Sequence, residues 1–174
     1  YGKNAAGEHF RCGGGGHIID DPGSGYALGR DALAAALQTE DGRLSENALH
    51  GAVMDTVGGS GIQGIFDFVY FSRRGKGDIA ALAPLVLRCA AQGDAVSLDI
   101  LRRGAAELAR LVSAVMGKLG LENGSPCALA GGLLAEDNVY RRAVCAALAP
   151  FCRPAAPEHD ALFGAVQLAL AAIQ

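Results

Sequence analysis

Two adjacent aspartates and seven glycines are gathered in residues 12–30, which read CGGGGHIIDDPGSGYALGR. Glycine adopts backbone conformations that other residues avoid and lets another molecule approach the main chain closely, although ordering it costs entropy. The carboxylates of Asp20 and Asp21 add strong hydrogen-bond acceptors to this flexible backbone. The stretch therefore predicts a loop that binds a polar ligand and leads into a helix near Gly25.

A second glycine pair, Gly131–Gly132, directly follows the short apolar run 126–130. The run is typical of a buried parallel strand, and ligands of open α/β sheets bind beyond the carboxyl ends of such strands. Neither glycine cluster matches a Walker A loop or a dinucleotide-binding GxGxxG fingerprint. Taken alone, Gly131–Gly132 could be a tight turn and residues 13–16 a loose loop.

The elements that position these loops are mostly helical. Residues 1–12 predict a β-hairpin that turns at Gly7, and a weak strand is expected near 151–154. Between Leu101 and Leu119, apolar residues recur at steps of three and four and form one helical stripe. Further helices are predicted at 25–38, from Ser45 to the break at 58–61, at 65–71, at 78–91, at 137–148 and at 161–173. Asp78 and Asp160 are the expected N-caps of the helices at 78–91 and 161–173. Pro84 is expected to distort the helix at 78–91.

Strand–glycine–helix followed by strand–helix is the pattern of an α/β domain, here with a large helical layer. The 174 residues fit one domain, and 51% hydrophobic with 19% charged residues indicate a folded globular protein. A net charge of −3 without a broad basic face argues against nucleic-acid binding, and no apolar run reaches the length of a membrane span. Five scattered cysteines without a CxxC pair predict reduced thiols in a cytoplasmic protein.

The motifs follow one another in a distinctive order. The glycine-rich segment runs into His17, Asp21 and GSGY (23–26), and is followed by DIAALAP (78–84), AQGD (91–94), LAGGL (129–133) and a last helix with Gly164–Ala165. This order resembles the BadF/BadG/BcrA/BcrD-type ATPases, and most of all their sugar-kinase branch, the N-acetylglucosamine kinases. The resemblance covers nearly the whole chain, and the order is more specific than any single motif.

That resemblance implies a ribonuclease-H-like, actin-like fold in which two lobes hold ATP and a sugar between them. Residues 1–174 then correspond to the C-terminal lobe as a single domain. The N-terminal lobe, with the first phosphate loop and the catalytic base, is expected upstream in the same polypeptide. The implied reaction is phosphorylation of an amino sugar, N-acetylglucosamine or glucosamine, by ATP with Mg²⁺. The isolated chain is expected to be inactive, and a homodimer remains open.

The resemblance assigns binding residues to this chain, but neither a catalytic residue nor a metal ligand. A carboxylate can accept two hydroxyl hydrogen bonds, which suits a sugar, and small residues leave room for adenine and ribose. The expected contacts are with the sugar for Gly14, Gly15, Gly16 and Asp21, and with adenosine for Ala80, Gly131 and Gly132.

The chain departs from the sugar-kinase pattern at two places. It has Gly14–Gly15–Gly16 where these kinases commonly have Gly-Trp-Gly, so an aromatic wall for the sugar is missing. It has DDPG (20–23) where they commonly have Gly-Asp-Glu-Gly. The extra carboxylate of Asp20 either favours a cationic amino group, as in glucosamine, or caps the turn.

Two other functions remain open. One is an ATPase that activates 2-hydroxyacyl-CoA dehydratases through an iron–sulfur cluster bridging a dimer. Such a cluster needs thiolates presented together, whereas Cys89, Cys127, Cys145 and Cys152 lie on separate predicted elements. The other is a non-catalytic actin-like module that senses a sugar or a nucleotide and binds it without forming ADP.

Overall fold

The computed structural model describes residues 1–59 and 61–171 of the chain. In chain order, its elements are β1 (Gly2–Lys3), β2 (His9–Phe10), α1 (Gly25–Glu40), α2 (Ala48–Val57), α3 (Gly61–Phe66) continued by a π-helical turn (Asp67–Phe71), α4 (Lys76–Ala80), α5 (Ala83–Ala91), α6 (Ala95–Leu119), β3 (Ser125–Ala128), α7 (Val139–Leu148), β4 (Cys152–Ala155) and α8 (Ala161–Ala171).

The described strands form two separate pairs. β1 and β2 are antiparallel, with Gly2 opposite Phe10, which confirms the predicted hairpin. β3 and β4 are parallel, with Ser125 opposite Cys152, as expected for the run that precedes the second glycine pair. Pro126 and Ala128 are exposed and Ser125 and Cys127 are only half-buried, so the expectation of a buried strand is wrong for β3.

The helices carry most of the core, and α6 is its centre because it packs against α1, α5 and α7. The predicted stripe forms these contacts, with Leu101 and Ala105 almost fully buried. Burial of one such leucine contributes about 1.5–3 kcal/mol. The helix begins after Asp94, whose carboxylate accepts a hydrogen bond from the Ser97 N–H (2.8 Å). It ends at Gly120, which adopts the left-handed conformation of a C-cap.

The helix predicted from Asp78 to Ala91 is wrong in one respect, because the structure divides it into α4 and α5. The N-cap of α4 is Gly75, and Asp78 lies inside the first turn, where its carboxylate accepts a hydrogen bond from the Gly75 N–H (2.7 Å). Pro84 lies in the first turn of α5, where its missing N–H has no helical partner to lose. The proline therefore starts a helix and distorts none.

The ends of the other helices fall near their predicted positions. The helix predicted at 65–71 begins earlier, at Gly61, and finishes as the π-helical turn. Asp160 caps α8 as expected, since its carboxylate accepts a hydrogen bond from the Phe163 N–H (2.8 Å), whereas Ile173 lies outside the described residues. Over 1–59 and 61–171, no single helix is long and apolar enough to span a membrane, and one bent pair, 76–91 with 95–119, passes that test only jointly.

Candidate functional site

The two glycine clusters of the sequence meet in space. A cleft of about 400 Å³ lies between the first glycine loop (residues 12–24) and the second glycine loop (residues 129–137), and the side of α6 closes its base. The residues that line it are Gly14, Asp21, Pro22, Gly23, Ser24, Gly25, Leu108, Leu111, Ala130, Gly131, Gly132, Leu133, Leu134 and Tyr140. Segments more than one hundred residues apart therefore form one surface.

The first glycine loop is held by hydrogen bonds to its own backbone. Arg11 Nη2 donates to the Gly14 carbonyl (3.0 Å), and the Gly15 N–H donates to Asp20 Oδ2 (3.0 Å). The Asp20 N–H in turn donates to the Gly16 carbonyl (2.8 Å). Asp20 therefore caps the loop from both its main chain and its side chain, which is the second of the two roles that the sequence left open.

Asp21 differs from Asp20 in its backbone conformation and in the hydrogen bonding of its side chain. Its φ of 60° lies in the left-handed region, and it is the single residue other than glycine with a positive φ in the described part of the chain. Asp21 is one of the residues that line the cleft, and its carboxylate makes no hydrogen bond or ion pair with the described residues. Asp is one of the few residue types other than glycine that adopt this conformation readily.

The exit of the first glycine loop is locked against α6 and α7. The Tyr140 hydroxyl donates a hydrogen bond to the Gly23 carbonyl (2.7 Å), and Tyr140 is 0% exposed. A Cβ at Gly23 would lie 2.7 Å from the Gly104 carbonyl and 2.8 Å from the Tyr140 hydroxyl, at a φ of +72°. Only glycine fits this position. Ser24 then caps α1 by accepting from the Ala27 N–H (3.2 Å).

The second glycine loop is open where the first is packed. It leaves β3 through the Leu129 N–H, which donates to the Ala155 carbonyl (3.2 Å). Gly131 has a φ of +105°, and at both Gly131 and Gly132 a Cβ would meet no atom within 4 Å. The described protein atoms do not fill the space above this pair, so the glycines leave a bare backbone facing the cleft.

Ala80 lies behind the cleft, at the end of α4. Its Cβ would be 3.7 Å from a Cβ at Gly25, a position that Leu133 also approaches (3.8 Å). The close approach of α4 to α1 depends on Gly29, since a Cβ there would collide with the Ile79 carbonyl. Gly29 was not singled out from the sequence, although a glycine inside a helix, which costs about 1 kcal/mol relative to alanine, is a signal of close packing.

Some of the binding residues predicted from the sequence line the cleft, and others do not. Gly14 and Asp21 share the cleft with Gly131 and Gly132, whereas Ala80 borders it through Gly25. Gly15 and Gly16 belong to the first glycine loop but do not line the cleft. Sequence reasoning missed Tyr140, because an aromatic residue in an apolar helical pattern reads as core.

Three cysteines lie closer together than the sequence suggested. Burial and the neighbouring thiols of Cys127 and Cys145 raise the pKa of Cys152 to about 11, so this thiol stays protonated near neutral pH. All five cysteines are free, as expected. Within the part of the chain that the structure describes, no group of three His, Cys, Asp or Glu side chains has the geometry to hold a metal ion.

Comparisons with known proteins agree with this architecture. The family model of the BadF/BadG/BcrA/BcrD ATPase family matches residues 1–169. An N-acetylmuramic acid/N-acetylglucosamine kinase of Clostridium acetobutylicum is 38% identical over 71% of this chain and 40% of its own length. An N-acetyl-D-glucosamine kinase of Dictyostelium discoideum is 30% identical over 82% of this chain and 44% of its own length.

A solved structure shows the same fold. The crystal structure of a candidate N-acetylglucosamine kinase from Chromobacterium violaceum superposes with a TM-score of 0.77 and 32% identity, covering 95% of this chain and 53% of that protein. The chain therefore spans about half the length of the relatives it matches. Its fold is the expected α/β lobe of actin-like ATPases with a large helical layer, and the chain belongs to the BadF/BadG/BcrA/BcrD ATPase family.

Proposed function

We propose that the complete protein is a sugar kinase that transfers a phosphoryl group from ATP to a hydroxyl of an amino sugar. The observation that carries this proposal is the shared cleft, which is lined both by Asp21 and by the side-chain-free backbone of Gly131 and Gly132. One wall offers a hydroxyl acceptor and the other offers room for a flat, bulky group. A kinase has to hold two such ligands side by side.

Asp21 is the residue that we assign to the sugar. An ionised carboxylate accepts hydrogen bonds only, and its two oxygens can take two neighbouring hydroxyls. Charge-assisted bonds of this kind are roughly twice as strong as neutral ones. The peptide groups of Gly14, Gly15 and Gly16 complete this wall in the proposal, and Gly14 lines the same cleft as Asp21.

The role of Asp20 bears on which sugar is bound. One of its carboxylate oxygens is engaged by the Gly15 N–H, so its contribution to the loop is structural. This weakens the case for Asp20 as the partner of a free ammonium group, and we therefore place N-acetylglucosamine before glucosamine as the substrate. The names of the two curated relatives favour the same order.

Gly131, Gly132 and Ala80 are the residues that we assign to adenosine. Phosphoryl transfer needs little covalent help from the protein and depends on positioning and charge stabilisation. ATP would bring Mg²⁺ bound to its phosphates, which neutralises the charge that develops during transfer. The residues of this chain would hold the nucleoside end of ATP and exclude water from that side of the cleft.

The remaining parts of the machinery belong, in this proposal, to an N-terminal lobe of the same polypeptide. The relatives are more than twice as long as the matched region, which leaves room for a second lobe with a base and a phosphate loop. Residues 1–174 alone should then form no ADP in response to sugar. The dehydratase-activator alternative is the less favoured one, because both curated relatives are named as sugar kinases.

The test is an ADP-release assay on the complete polypeptide with N-acetylglucosamine, glucosamine and glucose, run beside residues 1–174. We expect ADP formation that requires an amino sugar, is fastest with N-acetylglucosamine, and is absent from residues 1–174. Ligand binding without ADP formation by the complete polypeptide would contradict the kinase and favour a sensing module. Sugar-dependent ADP formation by residues 1–174 would contradict the two-lobe arrangement.

A further inference from the structure

The first turn of α7 touches both walls of the cleft. On one side, Tyr140 reaches from α7 to the first glycine loop and donates its hydroxyl hydrogen to the Gly23 carbonyl (2.7 Å). This carbonyl lies only two residues after Asp21. Burial raises the pKa of the Tyr140 hydroxyl well above its ordinary value, so the group remains a hydrogen-bond donor throughout the physiological pH range.

On the other side, the same turn holds the second glycine loop. Asn138, the N-cap of α7, donates from Nδ2 to the Leu133 carbonyl (2.9 Å) while its Oδ1 accepts from the Arg141 N–H (2.9 Å). Arg141 Nη1 donates to the Leu134 carbonyl. Leu133 and Leu134 directly follow Gly131–Gly132, so one helical turn fixes the end of each loop that faces the cleft.

We propose that Tyr140 is a positioning residue that couples sugar binding at the first glycine loop to nucleotide binding at the second. The inference rests on the kinase proposed above. A helical turn moves as a unit, and α7 is packed along α6. A displacement of the second glycine loop by nucleotide is therefore passed through Asn138 and Tyr140 to the Gly23 carbonyl, and from there to the backbone of Asp21.

The hydroxyl of Tyr140, like its ring, is closely packed, and two glycines border it. A Cβ at Gly104 would lie 3.0 Å from the Tyr140 hydroxyl, and one at Gly23 would lie 2.8 Å from it. Two glycines on different segments thus leave room for this oxygen. A phenylalanine would keep the ring in place and remove only the connection to the Gly23 carbonyl.

The experiment is calorimetric titration of N-acetylglucosamine into the complete polypeptide, with and without a non-hydrolysable ATP analogue and Mg²⁺. In the wild type we expect the nucleotide to tighten sugar binding about fivefold or more, the lower end of typical coupling between sites. In Tyr140→Phe this factor should fall below about twofold. Asn138→Asp keeps an N-cap acceptor but removes the donor to Leu133, and should lower the factor in the same way.

Phe151→Ala is the control, because this side chain packs against the core just after α7, in a hollow lined by α6 and Ala147, and it does not line the cleft. It should lower stability and leave the coupling factor at its wild-type value. A Tyr140→Phe protein that is less stable but retains full coupling would overturn the proposal, as would a wild type without coupling. A wild type that binds neither ligand would contradict the proposed function itself, which separates the two failures.

Discussion

The two glycine loops use the same residue for opposite reasons. In the first loop, Gly23 is enclosed by α6 and Tyr140, and an added Cβ would lie within 3 Å of three protein atoms. In the second loop, Gly131 and Gly132 have no described atom within 4 Å of an added Cβ. At Gly23 the surrounding atoms exclude any side chain, whereas at Gly131 and Gly132 no described atom does so, and only the backbone conformation of Gly131 requires glycine.

The difference separates structural from ligand-facing positions within one cleft. The first loop contains both kinds, since Gly23 and Asp20 hold the loop while Asp21 presents an unpaired carboxylate in a left-handed conformation. The second loop is held at its end by Asn138 and Arg141, and no described atom lies within 4 Å of the position of a Cβ at either of its glycines. Substitutions at these positions should therefore divide into those that affect stability and those that affect binding.

The largest effect is expected at Gly23. Gly23→Ala forces an L-residue into a φ of +72° and drives a methyl group into the Gly104 carbonyl and the Tyr140 hydroxyl. Left-handed strain of about 1–2 kcal/mol and overpacking of about 1–3 kcal/mol should together lower the free energy of unfolding by about 2–5 kcal/mol. Urea denaturation measures this, with Gly132→Ala as the control that should stay within about 0.5 kcal/mol. Equal stability of the two variants would contradict the claim that packing requires glycine at position 23 but not at position 132.

The second effect is on sugar binding. Asp21→Asn keeps the shape and tolerates the left-handed backbone, so it removes the charge without new strain. Losing a charged acceptor costs about 1.5–3 kcal/mol, and the KM for sugar should rise about tenfold or more, with the KM for ATP little changed. Asp20→Asn, which retains an acceptor for the Gly15 N–H, should change the sugar KM far less. Equal sugar kinetics in wild type and Asp21→Asn would remove Asp21 from the site.

The third effect is on the nucleotide. Gly132 is a better position to test than Gly131, because the φ of +105° at Gly131 would strain any replacement. Gly132→Ala adds one methyl group to open space, so the fold should be unaffected. If the backbone there lies against adenosine, ATP affinity should fall several-fold, up to about tenfold or 1.4 kcal/mol. Unchanged ATP binding in calorimetry would mean that this glycine pair is only a turn.

The smallest effect is expected far from both loops, at His50. Although partial burial disfavours the charged ring, hydrogen bonds to Glu40 (2.7 Å) and Glu46 (2.9 Å) raise the pKa of His50 above 6.5. Because the pKa of His50 is higher in the folded than in the unfolded protein, the protonated ring stabilises the fold fully below pH 6.5. This contribution disappears as the pH rises through the pKa of the folded protein.

The stability difference between wild type and His50→Gln should therefore be greatest below about pH 6 and shrink at higher pH, as measured by urea denaturation across that range. Binding of sugar and ATP should not change in this variant. A stability difference that grows as the pH rises would have the wrong sign for this assignment.

The sequence predicted the pieces of the site better than their arrangement. Asp21 and Gly131–Gly132 were identified from motif order, and the hairpin, α6 and the parallel pairing of β3 came from local patterns. The boundary at Asp78 was wrong because Gly75 and Asp78 together cap α4, and Pro84 begins the next helix. Tyr140 could not be identified, because its bond to Gly23 joins residues 117 positions apart. Only tertiary packing brings such partners together.

The central claim is that the two glycine loops bind different ligands in one cleft. Its most direct test is calorimetry on the complete polypeptide with N-acetylglucosamine alone and with ATP analogue alone, for wild type, Asp21→Asn and Gly132→Ala. The account predicts a crossed result, in which Asp21→Asn weakens the sugar about tenfold and leaves the nucleotide unchanged, while Gly132→Ala weakens only the nucleotide. Wild-type affinities for both ligands in both variants would contradict it.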